Sequence, residues 1–194
     1  MHVMFVCTGN ICRSPIGELL MRHYLAGTSI VVDSAGTHGL TNHAIDPFSR
    51  ELMDEVGIES RDFRSRRLSA DMARSADLIL CFEKEQLADI KALAPTMGRR
   101  VFLLPDFANL ALTCAERGLV KGLTVSKRLE SIIAQAPRLM GIIPSSEDIE
   151  DPHRKTFDVF ERACEQTNAA IVTILDSLRK HYDDARDHYY GYRS

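Results

Sequence analysis

Short apolar segments alternate with amphipathic segments along the chain, and this alternation restricts the possible folds more than any other feature. The predicted strands are Val3–Val6, Ile30–Asp33, Asp77–Cys81 and Arg100–Leu104. The predicted helices begin at Ser14–Pro15 and cover Asp46–Val56, Glu83–Leu93 and Thr156–His181. Strands that alternate with helices are typical of an α/β domain whose sheet is mainly parallel. Ligands of such sheets bind outside the carboxyl ends of the strands.

The length of 194 residues fits a single domain, predicted over residues 1–181. Residues 106–148 form a predicted helical insertion with helices at Ala108–Gly118 and Val125–Met140. Pro137 is expected to bend or end the second helix, because proline lacks the N–H that a helix interior needs. Residues 182–194 form a predicted polar, tyrosine-rich tail. The sequence leaves the oligomeric state open.

Charge and cysteine usage exclude several classes of protein. The net charge of −3 lacks the basic excess of a nucleic-acid-binding protein. Five scattered cysteines, an odd number, do not resemble a disulfide scaffold, and none is spaced as a zinc ligand, so no metal and no cofactor are predicted. No run approaches the roughly 20 apolar residues that cross a bilayer, and the first residues lack a signal peptide. A cytoplasmic protein that binds neither nucleic acid nor membrane is expected.

The segment between the first strand and the first helix carries the chemistry. It reads Cys7-Thr8-Gly9-Asn10-Ile11-Cys12-Arg13-Ser14. A loop that wraps back to a helix start aims several backbone N–H groups at one point and so binds an anion. Gly9 and Asn10 tolerate the left-handed angles that such a loop needs, and Arg13 offers a planar fork for phosphate oxygens. The segment therefore predicts a phosphate-binding loop.

Cys7 is the candidate nucleophile, because the same amides stabilise a thiolate. Ser14 is placed to hydrogen-bond the sulfur. The alternative is that Cys7 is a buried residue at a strand end, which is the commoner role of a lone cysteine. Arg13, six positions later, favours the catalytic interpretation, since an arginine has no other reason to fold over a strand end.

The ten residues from Val6 to Pro15 resemble the amino-terminal signature of the low-molecular-weight protein tyrosine phosphatases. Shorter matches follow at Val32–Gly36, Asp46–Pro47, Gly57–Ile58, Arg64–Arg66, Ala76–Leu80 and Glu150–Pro152. The resemblance covers about residues 2–105 and 148–180. It implies a flavodoxin-like, three-layer fold with a four-stranded parallel sheet flanked by helices. It also implies hydrolysis of phosphotyrosine in a protein or peptide, such as a tyrosine kinase, through a phosphocysteine intermediate.

The resemblance assigns the remaining site residues. Asp151, in Asp-Pro, takes the role of the general acid that protonates the leaving phenolate and later activates water. The residues expected to build or brace the loop are Thr8, Gly9, Asn10, Ile11, Cys12, Ser14 and Ser34. The resemblance further implies a reversible disulfide between Cys12 and Cys7, which fits protection of a reactive thiol. Without the resemblance, Asp151 is one residue of an acidic loop and Ser34 a turn serine.

The chain departs from the family pattern around the pocket entrance. Phe63 stands near a position where the family often has a histidine that supports the loop asparagine. Leu40 takes the wall position that is tryptophan in animal members, and His153 and Arg154 follow Asp-Pro where aromatic residues are frequent. His153 and Arg154 suggest a doubly anionic or acid-flanked phosphopeptide, with a solvated basic loop as the alternative.

Three other functions remain open. A phosphoarginine phosphatase tends to have threonine at the position of Ile11, and an arsenate reductase needs further cysteines, of which Cys81 lies near a suitable place. A phosphotyrosine-binding module without activity is expected to lack Cys7 or Asp151, and both are present. For the insertion, a cap over the site and simple packing against the sheet are equally compatible with its apolar residues.

Overall fold

The computed structural model describes the backbone of residues 1–190 and the side chains of residues 1–179. Four strands form one parallel sheet in the order β2-β1-β3-β4. They are β1 (His2–Cys7), β2 (Val31–Gly36), β3 (Leu78–Cys81) and β4 (Val101–Leu103). The predicted α/β class and the four-stranded parallel sheet are confirmed, and each strand overlaps its predicted segment.

Seven α-helices connect or follow these strands within the described backbone. They are α1 (Arg13–Tyr24), α2 (Pro47–Glu55), α3 (Ala70–Ser75), α4 (Lys84–Leu93), α5 (Leu104–Glu116), α6 (Val125–Leu139) and α7 (Phe157–Tyr190). The short helix α3 was not predicted. Its signal is the side chain of Ser69, which accepts a hydrogen bond from the Met72 N–H as an N-cap.

Three helix boundaries differ clearly from the sequence prediction, at the start of α5, in the last turn of α6 and at the end of α7. Helix α5 starts at Leu104 rather than Ala108, because Pro105 occupies a first-turn position where its missing N–H costs nothing. Helix α6 continues through Pro137 to Leu139. Pro137 therefore lies in the last turn and does not itself end the helix. Helix α7 continues to Tyr190, past the predicted end at His181, so the backbone of residues 182–190 is helical where a separate tail was expected. The side chains of the predicted tail lie outside the described residues.

The sheet is covered on both faces. Alternate residues of β1 point to opposite sides, so Val3, Phe5 and Cys7 join one core and Met4 and Val6 join the other. The first core is closed by α1, α2, α5, α6 and α7, and the second by α3 and α4. These are the three layers that the fold class predicts.

Helix α6 packs against α5 and α7 and adds to the first core. Its buried side chains are Leu129, Ile132, Ala136 and Leu139.

Among the described residues, no helix combines the length and apolar character needed to cross a membrane.

Candidate active site

The loop between β1 and α1 is held against the end of β2. Strand β1 pairs with β2 so that Cys7 lies beside Gly36. Beyond the strands, Thr37 N donates to Cys7 O at 2.9 Å and His38 N donates to Thr8 O at 3.0 Å. The left-handed backbone falls on Asn10, whose φ is 55°, and not on Gly9. The loop therefore needs only one of the two residues that the sequence suggested for this conformation.

The sulfur of Cys7 faces the loop. It accepts a hydrogen bond from the Asn10 N–H at 3.3 Å and lies 3.0 Å from Ser14 Oγ. Both groups stabilise negative charge on sulfur, the first as a donor and the second through its hydroxyl. The side chain is 3% exposed, so little water competes for these contacts. The alternative of an inert cysteine in the core does not explain two polar contacts to one sulfur.

Asn10 braces the loop from beneath. Its Nδ2 donates to Ser14 Oγ at 2.9 Å and to Ser34 Oγ at 2.8 Å. Its Oδ1 accepts from the Arg66 N–H at 2.7 Å. The Arg66 N–H thus gives Asn10 a hydrogen bond of the kind that a histidine near position 63 often provides in the family, and that Phe63 cannot provide.

Arg13 is fixed by three acceptors although it is almost completely buried. Its guanidinium donates to Ile149 O at 2.7 Å and to Glu83 Oε2 at 2.9 Å, and its Nη2 lies 3.1 Å from Asp151 Oδ1. The plane sits 5.8 Å from the Phe82 ring centre. The buried Nε–H has no hydrogen-bond partner in the described part of the chain. A buried guanidinium N–H without a partner is a donor that suits an oxyanion.

Asp151 reaches the loop from the far end of the sequence. Its side chain is 42% exposed, which leaves it open to substrate and water. The backbone N–H of His153 donates to Asp151 Oδ1 at 3.3 Å, and the Ile149 N–H donates to Phe82 O at 2.9 Å. The acid loop is therefore joined to the residue that follows β3, and the His153 N–H holds the Asp151 carboxyl within the loop.

Sequence reasoning missed three supporting residues. Glu83 holds Arg13, and Gln86, which is 1% exposed, donates to Glu83 Oε2 at 2.6 Å and to Thr8 Oγ1 at 3.1 Å. In the sequence, the three-residue spacing of Glu83 and Gln86 indicates a helix start, and nothing there links either residue to the active site.

Glu18 is the third. Its Oε2 accepts from Ser34 Oγ, so it continues the chain of hydrogen bonds that begins at Asn10. Burial raises the pKa of the Glu18 carboxyl, against the lowering effect of Ser34 and Arg22. In the sequence, Glu18 is one acidic residue within the helical segment that follows the loop, and nothing there singles it out.

Cys12 lies beside the site as a free, buried thiol. Burial raises the pKa of Cys12 well above its ordinary value, and the carboxylate of Asp46 adds to this effect. Cys12 is therefore a neutral thiol at neutral pH and does not compete with Cys7 as a nucleophile. The disulfide between the two cysteines stays a prediction.

The three residues suggested for the pocket wall are all exposed. Leu40 is 48% exposed and lies in the loop after β2, while His153 and Arg154 follow Asp151. His153 and Arg154 border a depression of about 260 Å³ together with Pro47, Phe48 and Phe160. The structure brings His153 and Arg154 to the side of Asp46, and Leu40 lies on another loop.

Known proteins resemble the chain in sequence. Its residues 2–116 match the model of the family described as low molecular weight phosphotyrosine protein phosphatase. The protein Etp of Escherichia coli K12, a low molecular weight protein-tyrosine-phosphatase, is 44% identical over 101 residues, which cover 52% of this chain and 67% of Etp. The probable phosphatase EpsP of Ralstonia nicotianae is 28% identical over 177 residues, 91% of this chain and 95% of EpsP.

Solved structures share the fold. The tyrosine phosphatase AmsI of Erwinia amylovora superposes with a TM-score of 0.68 at 24% identity, over 91% of this chain and 92% of AmsI. The arginine phosphatase YwlE gives a TM-score of 0.68 at 22% identity, over 93% of this chain and 97% of YwlE. At this identity both show the fold alone. Because the family model spans more than half of its residues, the chain belongs to the low molecular weight phosphotyrosine protein phosphatase family.

Proposed function

We propose that the chain hydrolyses phosphotyrosine in proteins by way of a phosphocysteine on Cys7. The observation that carries the proposal is the meeting of three groups at one loop. The Cys7 sulfur, the buried Arg13 guanidinium and the Asp151 carboxyl come from opposite ends of the sequence and lie at the carboxyl end of β1. Each step of phosphate-ester hydrolysis has a group among them.

In the first step the Cys7 thiolate attacks phosphorus. The S–P bond forms as the bond from phosphorus to the tyrosine oxygen breaks, and Asp151 gives its proton to that oxygen. Backbone N–H groups of the loop and the free Nε–H of Arg13 bind the three phosphate oxygens, whose charge is greatest in the transition state.

In the second step water attacks the phosphocysteine. Asp151, now ionised, accepts a proton from the water, the S–P bond breaks and inorganic phosphate leaves. The departing thiolate is stabilised by the hydroxyl of Ser14 at 3.0 Å and the Asn10 N–H at 3.3 Å. The enzyme returns to its starting state, and the sequence of steps needs no metal or organic cofactor.

The position of Cys81 speaks against arsenate reduction. Cys7 belongs to one core and Cys81 to the other, so the sheet separates the two sulfurs. Cys81 is fully buried, donates to Phe102 O at 3.4 Å, and has a pKa raised by burial. A thiol in this place does not relay oxidation to Cys7.

Phosphotyrosine suits the site better than phosphoarginine. Ile11 borders the loop where the phosphoarginine branch tends to have threonine, and it packs against the first core. The exposed basic side chains of His153 and Arg154 favour a phosphotyrosine flanked by acidic residues, and a tyrosine kinase is the proposed natural substrate. Turnover of a phosphotyrosine peptide, compared with a phosphoarginine peptide and with arsenate plus thiol, separates the three activities.

Two variants test the mechanism. Cys7→Ser is expected to abolish turnover of aryl phosphate and of a phosphotyrosine peptide, while phosphate or vanadate still binds, because the loop amides and Arg13 remain. Asp151→Asn is expected to lower kcat by about 10²–10⁴, since it removes the proton donor. This loss should be smaller for an aryl phosphate with an acidic leaving group, whose phenolate departs without a proton. Substantial turnover by Cys7→Ser contradicts the proposal.

A further inference from the structure

A second cluster of reactive side chains lies next to the phosphate loop. Cys12, Asp46 and His153 bring one sulfur, one carboxylate oxygen and one ring nitrogen within 4.8 Å of one another. They come from the end of the loop, the start of α2 and the acid loop, so the sequence separates them by up to 141 positions. The catalytic steps use none of the three.

Asp46 and His153 are positioned by hydrogen bonds outside the cluster. The backbone N–H of Asp46 donates to Ile11 O at 2.9 Å, which ties the start of α2 to the phosphate loop. One oxygen of Asp46 caps α2 by accepting from Phe48 N at 3.0 Å. The His153 N–H donates to Asp151 at 3.3 Å. The cluster is therefore a consequence of the fold around the active site.

The donor set matches the preferences of Zn²⁺. Zinc binds thiolate, imidazole and carboxylate at about 2.0–2.3 Å in a tetrahedral arrangement, which separates the ligand atoms by about 3.3–3.8 Å. Since the three atoms lie within 4.8 Å, they need to close by no more than about 1.5 Å. Cys12 is buried, Asp46 is half-buried and His153 is exposed, so a metal can enter from the His153 side. Three protein ligands leave a fourth position for water.

We propose that Cys12, Asp46 and His153 form an inhibitory zinc site at the rim of the phosphate pocket. Zinc bound there joins the acid loop to the phosphate loop and restrains Asp151 through its neighbour His153. It also occupies the Cys12 sulfur and so prevents a disulfide with Cys7. Binding of the metal replaces the proton of the Cys12 thiol. The inhibition rests on the proposed phosphatase function, whereas the binding does not.

Binding is measured first in a protein without the nucleophile. Full-length Cys7→Ser is titrated with Zn²⁺ by calorimetry and with Co²⁺ by absorption spectroscopy. One metal per chain is expected, with a thiolate-to-cobalt charge-transfer band that Zn²⁺ abolishes. Adding Cys12→Ser is expected to remove the band. Adding His153→Gln or Asp46→Ser should weaken Zn²⁺ binding about tenfold or more. Serine keeps the N-cap of α2, so Asp46→Ser tests the ligand rather than the helix.

Matched controls keep the site intact. His23→Gln, an exposed histidine on α1, and Cys164→Ser, a thiol on α7, should bind Zn²⁺ as the Cys7→Ser parent does. Circular dichroism establishes that every variant is folded. A cobalt–thiolate band that survives Cys12→Ser, or Zn²⁺ binding that neither His153→Gln nor Asp46→Ser weakens, overturns the proposed site.

Inhibition is then measured on protein with Cys7. Zn²⁺ should inhibit turnover of p-nitrophenyl phosphate, chelation should restore it, and His153→Gln should need about tenfold more Zn²⁺ for half-inhibition, relative to its own activity without metal. Equal zinc sensitivity of the wild type, His153→Gln and Asp46→Ser shows that inhibition does not depend on this site and overturns the inhibitory role. A protein without turnover contradicts the phosphatase proposal alone, since the cobalt band still decides the site.

Discussion

At the residue scale, Arg13 shows why a particular side chain is required. Its guanidinium contacts Ile149 O, Glu83 and Asp151 together while one N–H stays free for an oxyanion. A lysine ammonium has three donors at one point and cannot span these directions. Its charge alone is therefore insufficient for the site.

Arg13→Lys is accordingly expected to lower kcat/KM for p-nitrophenyl phosphate by about 10²–10³. Inhibition by inorganic phosphate should weaken in parallel, because the same donor binds both. Arg64→Lys, an exposed arginine whose contacts are to nearby carbonyls, is the control and should retain activity. Equal kinetics of the Arg13→Lys variant and the wild type would show that only positive charge matters.

Glu18 gives a second prediction at this scale, on stability. Burial raises the pKa of Glu18 in the folded protein above its unfolded value, so the folded state binds more protons between those two values. The contribution of Glu18 to stability is thus fully present below about pH 4.3 and declines as pH rises through the folded pKa. In Glu18→Gln this decline is absent.

The free energy of unfolding of Glu18→Gln relative to the wild type should therefore shift in favour of the variant as the pH rises above about 4.3, the ordinary pKa of a glutamate. Urea titrations of both proteins at several pH values measure this. Glu161→Gln on the exposed surface of α7 serves as the comparison and should show little such trend. A shift in the opposite direction would mean that the hydrogen bond from Ser34 and the charge of Arg22 outweigh burial at Glu18.

At the element scale, the close pairing of the phosphate loop with β2 depends on Gly36. A Cβ built on Gly36 lies 2.6 Å from Thr8 O and 2.9 Å from Asn10 N, both backbone atoms of the loop. Neither atom can move without displacing the amides that face the Cys7 sulfur. The glycine is required for close approach rather than for an unusual φ.

Gly36→Ala is expected to lower kcat/KM by about 10² and the free energy of unfolding by about 1–3 kcal/mol, since the loop must shift. Kinetics on p-nitrophenyl phosphate and urea unfolding measure the two effects. Gly98→Ala is the matched control, because its nearest contact is Pro95 O at an unstrained 3.6 Å. Normal activity of Gly36→Ala would show that the loop accommodates the methyl group.

At the scale of the whole molecule, α6 is part of the packed core. Leu129 and Ile132 are fully buried between α6 and its neighbours α5 and α7. This packing accounts for the apolar face of the predicted insertion without any contact to substrate. If α6 also acted as a cap over the site, changes in its buried residues would alter the kinetics of the folded protein and not only its stability.

Ile132→Ala is expected to lower the free energy of unfolding by about 2–5 kcal/mol through loss of burial and the cavity left behind. Its kcat/KM for a phosphotyrosine peptide at 25 °C should equal that of the wild type. Arg138→Ala on the exposed face of α6 should change stability by no more than about 0.5 kcal/mol. A selective loss of peptide turnover by folded Ile132→Ala would instead support the cap.

The sequence by itself determined the elements and the loop, since both depend on neighbours along the chain. Runs such as Val3–Val6 predict a buried strand, and the order of Cys7, Asn10, Arg13 and Ser14 predicts an anion-binding turn at a helix start. Local patterns decided these because strands, helix starts and turns are set by backbone preferences and hydrophobic period. The resemblance added Asp151. No local pattern predicts that this residue lies beside Arg13.

Only the tertiary structure decided which distant groups meet. Glu83 holding Arg13, Glu18 extending the bonds from Asn10, and the grouping of Cys12, Asp46 and His153 all join separate elements. In the sequence these are a charged helix start, an isolated acidic residue and three unrelated side chains. Contacts of this kind depend on how strands are ordered and helices packed, which is a property of the whole chain and not of any segment in it.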